Sequence, residues 1–273
     1  MPELPEVETV KEQLKKKVLF ETILDVDVYH DNIIEFPNVI DFKKNIVNQK
    51  INDIKRRGKW LMFELDDYYL LSHLRMEGKY NFYKNEDLKS KHEHVVFKLS
   101  NGLDMRYHDT RKFGKMHLIL KGEELKRKPL NELGVEPFSD ELDVSYLKEK
   151  LKNKSIPIKT VLLDQSIITG IGNIYVDEIL FLSKIHPLRK ASLVTDKELS
   201  DIITNTRNVL TKAIKLGGTT IKSFSALTVH GKFQNELLVH GKEKEKCPFC
   251  DDYIKKIKVG GRGTYFCDKC QRL

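Results

Sequence analysis

Two rhythms of apolar residues run through the first 130 positions. In PEVETVKEQLKKKV (5–18), Val7, Val10, Leu14 and Val18 fall three or four apart, the spacing of one helix face. ILDVDVYH (23–30), INDIKRRGKWLMFEL (51–65), YYLLSHL (68–74), HVVFKLS (94–100), LDMRY (103–107) and KMHLIL (115–120) alternate or run apolar, as strands do. Asp66-Asp67, Asn101-Gly102 and Lys121-Gly122 supply turn signals between them. Many short strands behind one helix predict a sandwich or barrel over residues 1–130.

LNELGVEPFSDELDV (130–144), with its Gly, Pro and acids, is expected to be an interdomain linker over 131–144. Beyond it the period lengthens. SYLKEKLKNK, PIKTVLLDQ, GNIYVDEILFLSKI and DKELSDIITNTRNVLTKAIKLG all read as helices. The last has Thr195 or Asp196 as N-cap and Gly217 as its stop. A helical domain over 145–240 is therefore expected, ending in the polar loop GGTTIKSFSALTVHGKFQNE. No internal repeat or low-complexity tract breaks this α+β layout.

Composition narrows the partner. The 273 residues are 40% apolar, with no run of 18 apolar residues that would span a membrane. No charged start followed by an apolar stretch marks a secretory signal, so a cytoplasmic protein is expected. The net charge of +8 favours a polyanionic partner, although surface solvation alone explains most single lysines.

All four cysteines lie in the last 27 residues, as two C-x-x-C pairs, Cys247/Cys250 and Cys267/Cys270, sixteen residues apart. Four thiolates at that spacing suit one structural Zn²⁺, a closed tetrahedral site within a finger over 241–273. Between them IKKIKVGGRGTYF reads as a β-hairpin turning at Gly260-Gly261. Arg262, at its tip between glycines, is either a phosphate- or duplex-reaching group or an ordinary exposed turn residue. In LLDQSIITGIGNIYVDEIL (162–180), Gly170 and Gly172 flank a turn and Asn173 opens a helix with Ile174, Ile179 and Leu182 on its apolar face. Such a helix N-terminus is either an ordinary capped helix start or a phosphate site built on its free N–H groups, and Lys154 and Lys159, close in sequence, favour the second.

PELPEVET at the start, RRGKW (56–60), HLRMEGKY (73–80), KHEHV (91–95), DTRKFG (109–114), GIGNIYVDE (170–178) and GGRGTYFCDKCQ (260–271) occur in order along essentially the whole chain. In these motifs the sequence resembles the bacterial formamidopyrimidine-DNA glycosylases, which excise oxidised purines such as 8-oxoguanine. Leu4 stands where the related endonuclease VIII branch usually has glycine.

The resemblance implies an N-terminal β-sandwich with a leading helix and a C-terminal helical domain holding a helix–two-turns–helix motif and a zinc-binding β-hairpin. Double-stranded DNA with oxidised purines or abasic sites would lie between them, bound by a monomer. It makes Pro2, once Met1 is removed, the Schiff-base nucleophile. An α-amine has a pKa near 8 against about 10.4 for lysine, so far more of it is unprotonated at neutral pH. It makes Glu3 a general acid and Glu6 an organising residue, although acids in a first helical turn also complement the helix dipole. Lys59, expected on a strand, is matched to the proton donor of β-elimination. Arg262 is matched to that of δ-elimination, where guanidinium more easily clamps a phosphate than gives up a proton. Met76, Arg111 and Phe113 are matched to the residues that fill the gap left by the extruded nucleotide, with Arg111 facing the orphaned cytosine. Taken singly, Met76 and Phe113 would be read as strand core. His92, Lys154 and Asn173 are matched to, or lie near, DNA phosphate contacts, and the loop over about 218–234 would cover the flipped base. A rival from another class, a noncatalytic DNA-binding relative, would need neither Pro2, Glu3 nor Lys59. An endonuclease VIII-like enzyme for oxidised pyrimidines would share them, and a zinc-ribbon RNA-associated protein is favoured only by charge and cysteines.

Overall fold

The computed structural model describes residues 1–84, 87–219 and 231–273. The chain divides into two units, residues 1–131 with 219–231, and residues 132–218 with 232–273.

In the first unit the elements run α1 (Leu4–Val18), β1 (Ile23–Val28), β2 (Ile34–Phe36), α2 (Val39–Ile46), β3 (Asp53–Arg57), β4 (Trp60–Glu64), β5 (Tyr68–His73), β6 (Lys79–Lys84), β7 (Glu93–Leu99), β8 (Leu103–His108) and β9 (Lys115–Leu120). They form two sheets, ordered β1-β7-β8-β6 and β2-β9-β5-β4-β3, antiparallel except where β2 meets β9. Val26, Phe97, Met105 and Tyr107 of one sheet share a buried core with Leu61, Phe63, Leu70, Met116 and Leu118 of the other. This is a β-sandwich. The α1 stripe of Val7, Val10, Leu14 and Val18 joins that core, as its spacing requires.

Two features of this unit differ from the sequence reading. The run 51–65 is two strands, because Gly58, at φ 56°, turns the chain and places Lys59 in a two-residue hairpin turn rather than on a strand. β2, β6 and α2 have no counterpart in that reading: α2 buries only Phe42 and Ile46, too few apolar positions to announce a helix.

The second unit holds α3 (Val144–Leu151), α4 (Ile158–Leu162), α5 (Asn173–Leu182), α6 (Asp196–Lys215) and a hairpin of β10 (Lys255–Val259) with β11 (Arg262–Phe266). Thr195 caps α6 and Gly217, at φ 74°, ends it. Gly260 and Gly261, at φ 54° and 77°, make the hairpin turn, with Val259 opposite Arg262.

Residues 132–144, expected as linker, pack within this unit. Arg207 of α6 donates to the carbonyls of Pro137, Ser139 and Leu142 at 3.0–3.2 Å. Val135 is buried and bridges Ile168, and a Cβ on Gly134 would stand 2.2 Å from the Ile167 carbonyl oxygen. α5 also departs from expectation. Tyr175 to Phe181 are all buried, whereas Ile174 and Leu182 are partly exposed, so its apolar face is not the one read from Ile174, Ile179 and Leu182. The helix is enclosed nearly all round, and an enclosed helix has no single stripe to read. The finger is also part of this unit, its small core of Val239, Cys247, Ile254 and Cys267 closing on Phe181.

Candidate active site and metal centre

Backbone geometry at the start of the chain fixes the first part of the site. Glu3 is extended and α1 begins at Leu4, with Pro5 inside the first turn, where a missing N–H has no consequence. Pro2, Glu3 and Glu6 are buried. Glu6 Oε2 accepts the Glu3 N–H at 2.9 Å, half of a capping box, and Glu6 Oε1 accepts from Thr219 N at 2.8 Å and Thr219 Oγ1 at 3.0 Å. Burial holds the α-amine of Met1 below its ordinary value of 8.0; Glu3 and Glu6 pull it upward and Lys59 and Arg111 reinforce the lowering. Removal of Met1 would transfer the free amine to Pro2, one residue further along and buried.

Lys59 is only 5% exposed although it occupies a turn. Arg56 explains how that turn is held. Its Nε donates to Glu8 Oε2 on α1 and its Nη1 to the Gly58 carbonyl, both at 2.9 Å. Glu8 thus ties the turn to the first helix.

The three residues matched to stack filling are not core. Met76 is 38% and Phe113 49% exposed, and Arg111 lies with its guanidinium carbon 4.7 Å from the Phe113 ring centroid. Exposed apolar side chains held on short loops are free to enter a base stack. Their glycine neighbours show why these loops sit so close to the sandwich. A Cβ on Gly78 would stand 2.2 Å from Tyr107 Oη, and one on Gly114 1.7 Å from the same atom. His92 is half-buried, its ring edge-on to His108 at 5.6 Å.

In the second unit, Gln165 shapes the turns between α4 and α5. Its Nε2 donates to the carbonyls of Leu163 and Ile171, and its Oε1 accepts the Gly170 N–H at 2.9 Å. Gly172 caps α5, and Asn173 Nδ2 donates to the Gly263 carbonyl at 3.0 Å, so the helix start and the strand carrying Arg262 are joined. Arg262 itself is exposed and Lys154 half-buried.

Lys159, read as a basic residue near phosphate, is wholly buried. Its Nζ donates to Asp177 Oδ1 and Thr264 Oγ1 at 2.7 Å and to the Gly263 carbonyl at 3.3 Å. A lysine so enclosed braces α4 and α5 against the finger and is not offered to a phosphate. Glu178, also unforeseen, accepts the N–H groups of Leu238, Val239 and His240 at 2.7–3.0 Å. Nothing in composition distinguishes such acids and lysines from surface ones. Of the loop 218–234, residues 220–230 lie outside the described residues.

The four cysteines fit one zinc ion. Their sulfurs all lie within 4.8 Å of one another, with Cys247–Cys270 at 3.8 Å and Cys250–Cys267 at 3.5 Å. Zn–S bonds of about 2.3 Å in a tetrahedron put sulfurs about 3.8 Å apart, so four thiolates here close the coordination sphere and make the site structural.

The comparisons agree over the whole chain. Residues 1–116 match the formamidopyrimidine-DNA glycosylase N-terminal domain, 133–225 the H2TH domain of the same enzymes, and 244–273 the zinc finger found in FPG and IleRS. The formamidopyrimidine-DNA glycosylase of Oceanobacillus iheyensis is 49% identical over 273 residues, covering 99% of this chain and 98% of that protein. A Lactococcus lactis FPG mutant in complex with Fapy-dG-containing DNA is 41% identical with a TM-score of 0.94, covering 100% of both chains. The L. lactis Fpg bound to DNA with an abasic site is 41% identical with a TM-score of 0.93, covering 99% of this chain and 100% of that one. Sandwich, helix–two-turns–helix and four-cysteine finger define a DNA-repair glycosylase architecture. The chain belongs to the formamidopyrimidine-DNA glycosylase family.

Proposed function

We propose that this chain removes 8-oxoguanine and formamidopyrimidines from duplex DNA through a Schiff base on the Pro2 amine and then cuts the strand by β,δ-elimination. It is a DNA glycosylase of base excision repair. The observation that carries the mechanism is the burial of Pro2 with Glu3 and Glu6 at the start of the chain, where the electrostatics of the Met1 amine are set by burial and by Glu3, Glu6 and Lys59.

The chemistry follows from those groups. The Pro2 nitrogen attacks C1′ as the bond to the base breaks, and Glu3 supplies a proton to the opening sugar oxygen. A secondary amine gives an iminium that is necessarily cationic, and this acidifies the C2′ proton. Its loss expels the 3′ phosphate, and a second elimination expels the 5′ phosphate. Lys59, held in its turn by the Arg56 brace, is the proton donor of the first elimination. Arg262 on the finger clamps a phosphate. The damaged base leaves the stack while Met76, Arg111 and Phe113 take its place. Zinc supplies no chemistry; it fixes the finger that carries Arg262. We place the reaction in the cytoplasm, where thiolates stay reduced, and assign it to a monomer.

Borohydride trapping tests the reading on duplexes holding 8-oxoguanine opposite cytosine, no lesion, or thymine glycol. A covalent adduct on the first, absent from Pro2→Gly with comparable DNA binding, is expected. The trapping rate should rise with pH, because the amine must lose its proton before it can attack. Adducts only on thymine glycol would move the chain to oxidised pyrimidines. No adduct with Met1 removed and DNA bound would end the Schiff-base mechanism.

A further inference from the structure

The connection between β8 and β9, residues 109–114, is built around one carboxylate. Asp109 is fully buried. Its Oδ1 accepts the Arg111 N–H at 3.0 Å, and its Oδ2 accepts the N–H groups of Phe113 at 2.9 Å and Gly114 at 2.8 Å. The backbone of Asp109 is pinned as well: its N–H donates to the His92 carbonyl at 3.0 Å, and its carbonyl oxygen meets His94 Nε2 at 2.9 Å. Lys112 takes φ 58°, which a lysine adopts only when its surroundings dictate it. A charged acceptor receiving three backbone N–H groups is the strong form of such a bond. The loop is thus set before any ligand arrives, and its two functional side chains are held outward, Arg111 against the Phe113 ring.

We propose that Asp109 is the positioning residue that couples gap filling to reading of the opposite base. The inference rests on the functional reading above. The two carboxylate oxygens hold the two side chains separately: Oδ1 sets the backbone of Arg111, Oδ2 that of Phe113. An arginine offers only donors. The pairing edge of cytosine presents two adjacent acceptors, N3 and O2, whereas that of adenine pairs one acceptor with a donor. Discrimination therefore depends on where the guanidinium stands relative to the inserted ring, and the Asp109 carboxylate fixes that relation. The second loop is tied to the same support, since Thr110 Oγ1 bonds to Glu77, next to Met76.

Asparagine at 109 separates the two functions. It keeps the shape but has one acceptor oxygen and one NH₂. With the oxygen turned to the Phe113 and Gly114 pair, which needs it more, the NH₂ faces the Arg111 N–H, and donor meets donor. Asp109→Asn should therefore loosen Arg111 and leave Phe113 in place.

The experiment measures single-turnover excision of 8-oxoguanine opposite cytosine and opposite adenine, with 2-aminopurine beside the lesion reporting ring insertion. Wild-type protein that excises neither would remove the functional reading itself, and with it this inference. Given active wild type, Asp109→Asn is expected to lower the cytosine-over-adenine preference by about tenfold, the scale of one good bidentate base contact, with the insertion signal unchanged. In an Arg111→Ala background the same change should have no further effect on that preference. Preference retained in folded Asp109→Asn, or an equal loss with Arg111 already removed, would overturn the proposal. Amide exchange in the wild type keeps the test sharp should the variant not fold. The N–H groups of Arg111, Phe113 and Gly114 must be protected in the DNA-free protein, and rapid exchange there would overturn a preset loop.

Discussion

Lys159 Nζ stands 2.7 Å from Asp177 Oδ1, and neither side chain has any exposure to solvent. Asp177 Oδ2 also meets His240 Nδ1 at 2.8 Å and accepts the Tyr265 N–H at 3.3 Å. One carboxylate therefore gathers α4, the segment before the finger and β11. Truncating one partner of a buried pair leaves the other charge stranded. Lys159→Ala should destabilise the protein by about 3 kcal/mol or more, read from urea unfolding. Lys159→Met combined with Asp177→Asn should recover part of the loss. A change below about 1 kcal/mol for the single variant would mean that the pair is not closed to water.

Glu6 joins the start of α1 to Thr219 through one oxygen and to Glu3 through the other. In Glu6→Gln an NH₂ must face one of those donors. Single-turnover base release should fall roughly tenfold to a hundredfold, the scale of a small misplacement of reacting groups. The melting temperature should move little, since the helix keeps its buried stripe. Unchanged release would assign Glu6 to helix capping alone.

His73 and His117 flank the Trp60 ring, at centroid distances of 4.8 and 5.5 Å. Burial first, then Arg75 and Lys59, lowers His73 from 6.5 to about 3; burial also lowers His117 to about 4. The unfolded chain binds these protons near pH 6.5 and the folded one does not. Stability is therefore fully present above 6.5 and drains as pH falls below it, by up to about 1.4 kcal/mol per pH unit for each ring. In His73→Gln, which stays neutral, the acid slope of urea midpoints between pH 6 and 4 should flatten. An unaltered slope would show that this ring is already protonated in the fold.

Chelation of the metal should release one zinc per chain and abolish binding to an abasic-analogue duplex. The finger core of Val239, Cys247, Ile254 and Cys267 is too small to hold without it. Thermal unfolding of the first unit should persist, because its sandwich core contains no cysteine. Full DNA binding in zinc-free protein would contradict this division.

Much of the protein was legible in its residues because the signals are local. The α1 stripe, most of the strands, the α6 cap at Thr195, the Gly260-Gly261 turn and the cysteine spacing each follow from periodicity or from a rule about one or two positions. The same holds for family membership, since its motifs are short and ordered. The RRGKW motif marks Lys59 but reads as one continuous strand, whereas Gly58 turns the chain in space.

Only the tertiary structure decided which charged residues are inside. Lys159, Asp177, Glu178, Arg207 and Asp109 look in sequence like dozens of other lysines, acids and arginines. Their roles depend on partners 18 to 105 residues away, or on backbone N–H groups that a loop turns inward. Periodicity reports how one element meets solvent on average. It carries no information on which distant donor will lie beside a given carboxylate, and that pairing determines whether a charge braces the fold or faces DNA.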